Sequence, residues 1–209
     1  MRTWTQTDEC GRRAGSGFYV RIGAELGYAK LDRIQREKIG SVLGRRVGVP
    51  VAFVEYAKVD GDPNGMIFAV SHVKACTDQE VGEVEETRSV KNALSRASGL
   101  LAFLRWIGAG DHEAGKNLVV RQLAEGEFEV IAIDFGNAFE WPQQSLSDGH
   151  PLVRNIDKTL VQDALTKIEA LSDDDIVKLC ANEVPDSLVA TLITQRSLLR
   201  PFLEIRGWL

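Results

Sequence analysis

Residues 131–137 read Ile131-Ala132-Ile133-Asp134-Phe135-Gly136-Asn137. The three apolar residues predict a buried strand, and Asp134 follows where that strand ends. A carboxylate at the edge of a rigid sheet suits Mg²⁺, a hard cation that takes one or two carboxylates and completes its shell with phosphate oxygens and water. A strand followed by an Asx-type turn explains the same residues without a metal. The stretch therefore becomes informative only together with its neighbours.

A polar loop that contains Asp111 and Asn117 precedes a predicted hairpin. The hairpin has strands at 118–120 and 128–133 and a turn at 124–127. An Asp and an Asn on a short loop, joined by a hairpin to a metal-binding Asp, form the layout of a phosphotransfer catalytic loop. There the first Asp receives or orients the acceptor hydroxyl, and the Asn binds the metal. Taken alone, such a loop is more often a plain surface connection.

The N-terminal part is predicted to form strands around one helix. The predicted elements are a strand at 18–22, a helix at 29–47 and a hairpin with strands at 51–59 and 66–73. Arg21 lies on the first strand, and Glu37 lies on the helix. In a kinase small lobe a strand cation contacts the α- and β-phosphates and is held by a glutamate of the next helix. A solvated charge pair on a helix face explains the two residues equally well.

The C-terminal part is predicted to be mainly helical. An acidic segment, 77–86, lacks the apolar period of a core element and is predicted to be a surface loop or linker. We place the boundary there, between a small lobe of residues 1–75 and a larger lobe of residues 76–209. The predicted helices are a stripe at 90–104 and three further segments at 157–171, 172–180 and 185–203. Ser172 and Asp175 have the spacing of a capping box.

Composition narrows the classes of partner and compartment. The net charge is −5 and the pI is near 5.3, so nucleic acid is not expected as a partner. Three cysteines, far apart and odd in number, predict neither a disulfide framework nor a metal knuckle. No apolar signal core or membrane span is seen, so a cytoplasmic protein without a membrane partner is expected. His112, beside Asp111, is expected to face solvent.

The chain resembles the HipA-like kinases, a distant branch of the protein-kinase and phosphoinositide-kinase fold. The matching stretches cover most of the chain and include a helical tail that has no part in the chemistry. They are Tyr19 to Ile22, the Glu37 helix leading into Gly48 to Val51, Trp106 to Gly108, Asn117 to Val120, Ile133 to Phe139, Ala170 to Ile176, Glu183 to Ser187 and Gln195 to Leu199. The resemblance implies an α+β fold with two lobes, ATP bound between them, and Mg²⁺ as the second cofactor.

The resemblance also implies roles for individual residues. Its catalytic residues are Asp111, Asn117 and Asp134, and the last two would bind the metal. The nucleotide would be bound by Arg21 on its phosphates, by Glu37 holding Arg21, and by a glycine loop that includes Gly15 and Gly17. A disordered N-terminus is the commoner meaning of such a glycine stretch.

Two departures from the family pattern leave the activity open. Arg21 stands where the family normally has lysine, and Asp111 precedes Asn117 by six residues instead of five. An arginine is not a conservative replacement for a lysine at a phosphate site. The expected function is therefore either ATP- and Mg-dependent phosphate transfer, with a protein Ser/Thr or a small molecule as acceptor, or regulation of a protein partner by a pseudokinase.

Overall fold

A closed barrel of five strands forms the N-terminal part of the chain. The computed structural model describes residues 1–8, 10, 17–73, 79–109, 112, 115–139, 146–181 and 183–209. The barrel strands are β1 (Arg2–Gln6), β2 (Phe18–Ile22), β3 (Glu25–Lys30), β4 (Val54–Asp60) and β5 (Phe68–Val73). Their order is β1-β2-β3-β5-β4, and β1 closes the barrel by pairing parallel to β4 and antiparallel to β2. Buried side chains such as Trp4, Val20 and Val70 fill its interior.

The structure confirms the predicted strand at 18–22 and the predicted hairpin, which is formed by β4 and β5. It corrects the predicted helix start at Ala29, because residues 25–30 form β3. This strand pairs with β2 on one side and β5 on the other. Gly27 permits close packing there, since a Cβ at that position would lie 2.5 Å from Val70 Cγ1. Strand β3 is therefore fixed by pairing with the neighbouring β2 and the distant β5 rather than by its own periodicity.

Helix α1 (Ile34–Val47) lies between the barrel and the helices of the C-terminal part. Ile39, Leu43 and Val47 belong to the large core cluster that those helices build. On the barrel side the Ser41 hydroxyl donates to Ala52 O at 2.7 Å and accepts from the N–H of residue 54 at 3.1 Å. Helix α1 thus fastens the barrel to the rest of the chain.

A three-stranded antiparallel sheet follows, in the order β6 (Gln79–Glu80), β7 (Leu118–Ala124) and β8 (Glu127–Ala132). Strands β7 and β8 form the predicted hairpin. Ala132 N donates to Pro50 O and Ala132 O accepts from Ala52 N, both at 3.0 Å, so the chain that leaves α1 runs beside β8. This sheet therefore brings the end of β8 close to the barrel.

Helices of 4 to 20 residues complete the fold: α2 (Arg88–Arg96), α3 (Gly99–Ile107), α4 (Pro151–Arg154), α5 (Lys158–Glu169), α6 (Asp173–Cys180) and α7 (Asp186–Ile205). The three predicted C-terminal helices are confirmed as α5, α6 and α7, and the capping box of Ser172 and Asp175 is present. The predicted stripe at 90–104 is divided between α2 and α3. The break lies at the buried Ser98, whose hydroxyl accepts from Asp157 N at 2.8 Å. A local sequence pattern could not predict this hydrogen bond, because Ser98 and Asp157 lie far apart in the chain.

Three further expectations can be compared with the described residues. The acidic segment predicted as a loop contains β6 and a 3-10 turn at Val81–Glu83, with Val81 buried. Cys10 is disulfide-bonded, contrary to the expectation from cysteine spacing, and Cys180 is free and buried. Among the described residues, no helix has the length and apolar character that crossing a membrane requires. The predicted lobe boundary lies within 74–78, outside the described residues, and stays a prediction.

Replacing Gly40 by alanine tests the contact between α1 and the segment after β8. A Cβ at Gly40 would lie 2.3–2.7 Å from three atoms of the Phe135 side chain. Alanine normally favours a helix over glycine by about 1 kcal/mol. Here we expect Gly40→Ala to lower the free energy of unfolding by about 1–3 kcal/mol, because the added methyl overpacks the interface. Denaturant unfolding measures the change.

Gly149→Ala is the matched control, since its Cβ would find its nearest neighbour, Ser147 Oγ, at 3.9 Å. We expect its effect to stay within about 0.5 kcal/mol. A stabilised Gly40→Ala variant would contradict the packing of α1 on Phe135.

Candidate functional site

A cleft of about 240 Å³ opens between the barrel and the three-stranded sheet. Its walls come from the C-terminal halves of β3 and β5, the start of α1, and the two loops at the ends of the β7–β8 hairpin. The lining residues are Tyr28, Lys30, Asp32, Arg33, Glu37, Ser71, Val73, Glu80, Asn117, Ile133, Asp134, Gly136 and Asn137. Six of these residues are charged, so the cleft brings together the kind of polar groups that orient a ligand in a concave site.

Lys30 contacts two of the acidic side chains that line the cleft. Lys30 Nζ lies 3.3 Å from Glu37 Oε1 and also contacts the carboxylate of Asp134. The second carboxylate oxygen of Glu37 accepts from Phe135 N at 2.8 Å. Glu37 is 1% exposed. Strand β3, helix α1 and the end of β8 therefore meet at a single buried glutamate.

Burial and neighbouring charges shift the pKa values of this pair. Burial raises the pKa of Glu37 to about 7, and nearby Asp134 adds to the rise while Lys30 opposes it. Burial also lowers the pKa of Lys30, but the two carboxylates outweigh that effect and hold it above its ordinary value. Lys30 thus stays cationic between two acids. Lys30 therefore supplies a fixed positive charge to the lining of the cleft.

The structure corrects the predicted pair of Arg21 and Glu37, because Lys30 is the cation beside that glutamate. Arg21 is exposed on β2 and pairs with Leu26 of β3. Leu26 lies four residues before Lys30, a distance of about 13 Å along a strand. Sequence reasoning missed Lys30 because it assigned Ala29 and Lys30 to the helix. A lysine seven residues before Glu37, at the end of an apolar run, was the available signal.

Asn117 and Asp134 both line the cleft, as the sequence led us to expect. Each has a left-handed backbone, with φ of 57° and 59°, which is uncommon outside glycine. Asn117 O accepts from Ile133 N at 2.9 Å, so the two loop ends are tied together. Non-glycine residues in this conformation concentrate at functional sites.

The donors of the cleft fit Mg²⁺. An amide and a carboxylate offer hard oxygen ligands, and Mg²⁺ usually binds to one or two protein groups together with phosphate and water. Among the residues that the structure describes, no group of three His, Cys, Asp or Glu side chains could hold a metal ion alone. The amide of Asn117 and the carboxylate of Asp134 therefore match the protein share of a Mg²⁺ site that phosphate oxygens complete.

Four other predicted positions have different outcomes. Asp111 and Gly15 lie outside the described residues, so their roles stay predictions. Gly17 packs on a residue that lines the cleft, because a Cβ there would lie 2.5 Å from the ring of Tyr28. His112 is completely buried, which corrects the expectation that it faces solvent.

Arg33 and Arg36 hold the segment that follows Asp134, a role that sequence reasoning did not identify. Arg33 Nη1 donates to Gly136 O at 3.3 Å and contacts the side chain of Asn137. Arg36 Nη1 donates to Gly136 O at 3.5 Å and Ala138 O at 3.4 Å. Arg33 is the N-cap residue directly before α1, and Arg36 and Glu37 lie in the first turn of the helix. The first turn of α1 thus binds the segment over residues 135–138.

A known structure shares this architecture. The Helicobacter pylori proinflammatory kinase CtkA matches with a TM-score of 0.54 over 90% of this chain and 88% of that one, at 11% identity. The HipA chain of the Shewanella oneidensis MR-1 HipA, HipB and operator DNA complex gives a TM-score of 0.49 at 13% identity. That match covers 83% of this chain and 57% of that one.

At these identities the likeness concerns the fold. No family model and no curated protein matches the chain. The likeness to CtkA shows a distant kinase-like fold, with strands in the N-terminal part and helices in the C-terminal part. The expected fold class, an α+β kinase-like fold, is thereby confirmed.

Replacing each candidate strand cation separately tests the assignment of Lys30. We expect Lys30→Met to weaken Mg-ATP binding by roughly 10- to 100-fold, because a charged hydrogen bond contributes about 1.5–3 kcal/mol. Arg21→Met removes an exposed cation and is the matched control, with an expected change below about twofold. Isothermal titration calorimetry measures both constants. The reverse order of effects would return the phosphate role to Arg21.

The pH dependence of stability tests the buried glutamate. Because the pKa of Glu37 rises on folding, the folded chain binds more protons than the unfolded chain between pH 4.5 and about 7. Stability should therefore fall as pH rises through this range. Glu37→Gln removes this contribution. The free energy of unfolding of the variant, relative to that of wild type, should therefore rise by at most about 3 kcal/mol between pH 5 and pH 8. Denaturant unfolding at several pH values measures this difference. A difference that does not change with pH contradicts the raised pKa of Glu37.

Proposed function

We propose that this protein is an ATP- and Mg-dependent phosphotransferase of the HipA-like kinase class. The observation that carries the proposal is the contact of Lys30 with Glu37 and Asp134 in a cleft between two parts of a kinase-like fold. In protein kinases a strand lysine paired with a helix glutamate contacts the phosphates, and an Asp before Phe-Gly binds the metal. The same residue types in the same relation support that chemistry here.

The residues of the cleft have distinct roles in this proposal. Lys30 binds the α- and β-phosphates, and Glu37 keeps the lysine in place. Asp134 and Asn117 bind Mg²⁺, which would neutralise charge on the phosphates. The acceptor hydroxyl oxygen attacks the γ-phosphorus, the bond to the bridging oxygen breaks, ADP leaves, and the hydroxyl proton passes to Asp111. The protein contributes mainly positioning and a preorganised field.

The division into lobes belongs to the same proposal. Residues 1–75 form the small lobe and residues 76–209 the larger one, with ATP bound between them. Gly15 and Gly17 contribute to a loop over the phosphates, a role supported by the packing of Gly17 against Tyr28 in the wall of the cleft.

The acceptor and partners are proposed on chemical grounds. A protein Ser/Thr hydroxyl is the acceptor that we favour, with a small-molecule hydroxyl as the alternative, and a regulatory protein partner fits the HipA-like class. The net charge of −5 offers no general attraction for nucleic acid. We propose a cytoplasmic enzyme that acts without a membrane partner.

A nucleotide-binding pseudokinase is the second candidate. The six-residue spacing from Asp111 to Asn117 favours it, because a lengthened loop can misplace the catalytic Asp. The other argument for a pseudokinase was the absence of a strand lysine. The position of Lys30 beside Glu37 removes that argument.

Two substitutions separate the candidates. Mg-ATP at 100 times its Kd should stabilise wild type by about 2.7 kcal/mol and raise Tm by roughly 5–10 °C. Asp134→Asn should abolish most of that Mg-dependent shift, because it removes an anionic metal ligand. Asp111→Ala should keep the shift but slow phosphate transfer from γ-labelled ATP by orders of magnitude, since its interaction forms mainly in the transition state.

The outcomes distinguish the two readings. Transfer to the protein itself or to extract proteins, lost in Asp111→Ala, supports the kinase. A full thermal shift in wild type with turnover no faster than in Asp111→Ala supports the pseudokinase. Absence of a thermal shift in folded wild type contradicts both.

A further inference from the structure

His150 is completely buried and uses both ring nitrogens. Its Nδ1 accepts from Leu152 N at 3.2 Å, within the first turn of α4. Its Nε2 lies 3.0 Å from His112 O. Because Nδ1 accepts, the ring proton of the neutral imidazole lies on Nε2 and is donated to that carbonyl. This histidine therefore ties the segment before α4 to the loop that contains His112.

His112 continues the connection towards the cleft. Its Nε2 donates to Ile133 O at 3.0 Å, and its ring stacks on Phe135 with centroids 5.8 Å apart and planes inclined by 19°. Ile133 and Phe135 flank Asp134 in the chain, and His112 directly follows Asp111. One residue thus joins the two segments that carry the proposed catalytic Asp and the proposed metal ligand.

The protonation state of His150 agrees with this geometry. Burial lowers the pKa of His150 to about 4, helped by the nearby His112 and Arg154 and opposed by the hydrogen bond to the His112 backbone. The ring is neutral at physiological pH and keeps the tautomer that donates to His112. A second N–H on Nδ1 would face the Leu152 N–H.

We propose that His150 is a positioning residue for phosphate transfer, acting through His112 on the loop that carries Asp111. This inference rests on the proposed function. A loop displaced by about 1 Å can slow an oriented reaction by about 100-fold without changing nucleotide affinity. Neither His150 nor α4 lines the cleft, so the effect on catalysis comes through the hydrogen bond to His112.

Two substitutions each remove a different one of the two hydrogen bonds that the His150 ring makes. In His150→Asn the amide can replace Nδ1 and accept from Leu152 N, but it is too short to reach His112 O. In His150→Gln the longer side chain can place an N–H where Nε2 was, whereas the acceptor for Leu152 is lost. Each variant therefore leaves one buried backbone group unpaired, and the two are matched in that cost.

We expect His150→Asn to lower kcat by roughly 10- to 100-fold with the Kd for Mg-ATP unchanged. His150→Gln should retain kcat within about threefold, even if its Tm falls as far as the Tm of His150→Asn. A purely structural role for His150 predicts instead that activity follows Tm in both variants. Equal kcat in wild type and His150→Asn overturns the proposal.

A spectroscopic measurement separates this inference from the proposed function. The chain has three histidines, so histidine-labelled protein gives a simple NMR spectrum that substitution of His72 helps to assign. The His112 ring is stacked on Phe135, and its signal should move in His150→Asn but remain near the wild-type position in His150→Gln. An unmoved His112 signal in His150→Asn overturns the positioning role. Wild type without phosphate transfer, but with the expected His112 response, contradicts the proposed function and leaves the coupling intact.

Discussion

The buried carboxylate of Glu37 is the group on which the arrangement of the cleft depends. One of its oxygens pairs with Lys30 and the other accepts from Phe135 N, so it fixes the end of β3 relative to the segment after β8. A carboxylate with 1% exposure is costly unless its charge and lone pairs find partners. The partners come from the barrel and from the sheet. The contacts that satisfy the Glu37 carboxylate are therefore also the contacts that set the geometry of the cleft.

Phe135 is held on several sides, which explains why the neighbouring Asp134 can keep a left-handed backbone. Its N–H is bound by Glu37, its ring stacks on His112 and packs edge-on to Phe103, and Gly40 leaves room for it beneath α1. A backbone of this kind persists only where its surroundings determine it. In consequence Asp134 presents its carboxylate to the cleft from a fixed position rather than from a free turn.

Helix α1 and the buried histidines fix the same segment from different directions. Arg33 and Arg36 bind the carbonyls after Asp134, and His112 binds the carbonyl before it. His150 holds His112 in turn. A cleft whose chemistry depends on positioning gains from such attachments, because the cost of ordering its groups is met on folding and not on ligand binding.

Much of this molecule could be predicted from local sequence. Two apolar runs with a turn between them marked the β7–β8 hairpin, capping residues marked α6, and the order of Asn117 and Asp134 marked two groups that both line the cleft. These features depend on residues close together in the chain, where periodicity and turn chemistry act. Glu37 was also identified, since it lies within a well-formed helix.

Only the tertiary structure decided the partner of that glutamate and the environment of the histidines. Strand β3 exists because it pairs with β2 and with the distant β5, and without that pairing its last residues resemble the start of a helix. Lys30, rather than Arg21, consequently reaches Glu37. His112 looks like a loop residue until Phe135 and His150 enclose it. The sequence alone identified Glu37, Asn117 and Asp134 as groups that line the cleft. Long-range packing determined that Lys30 joins them and which of these groups touch, because no local propensity carries information about partners distant in the chain.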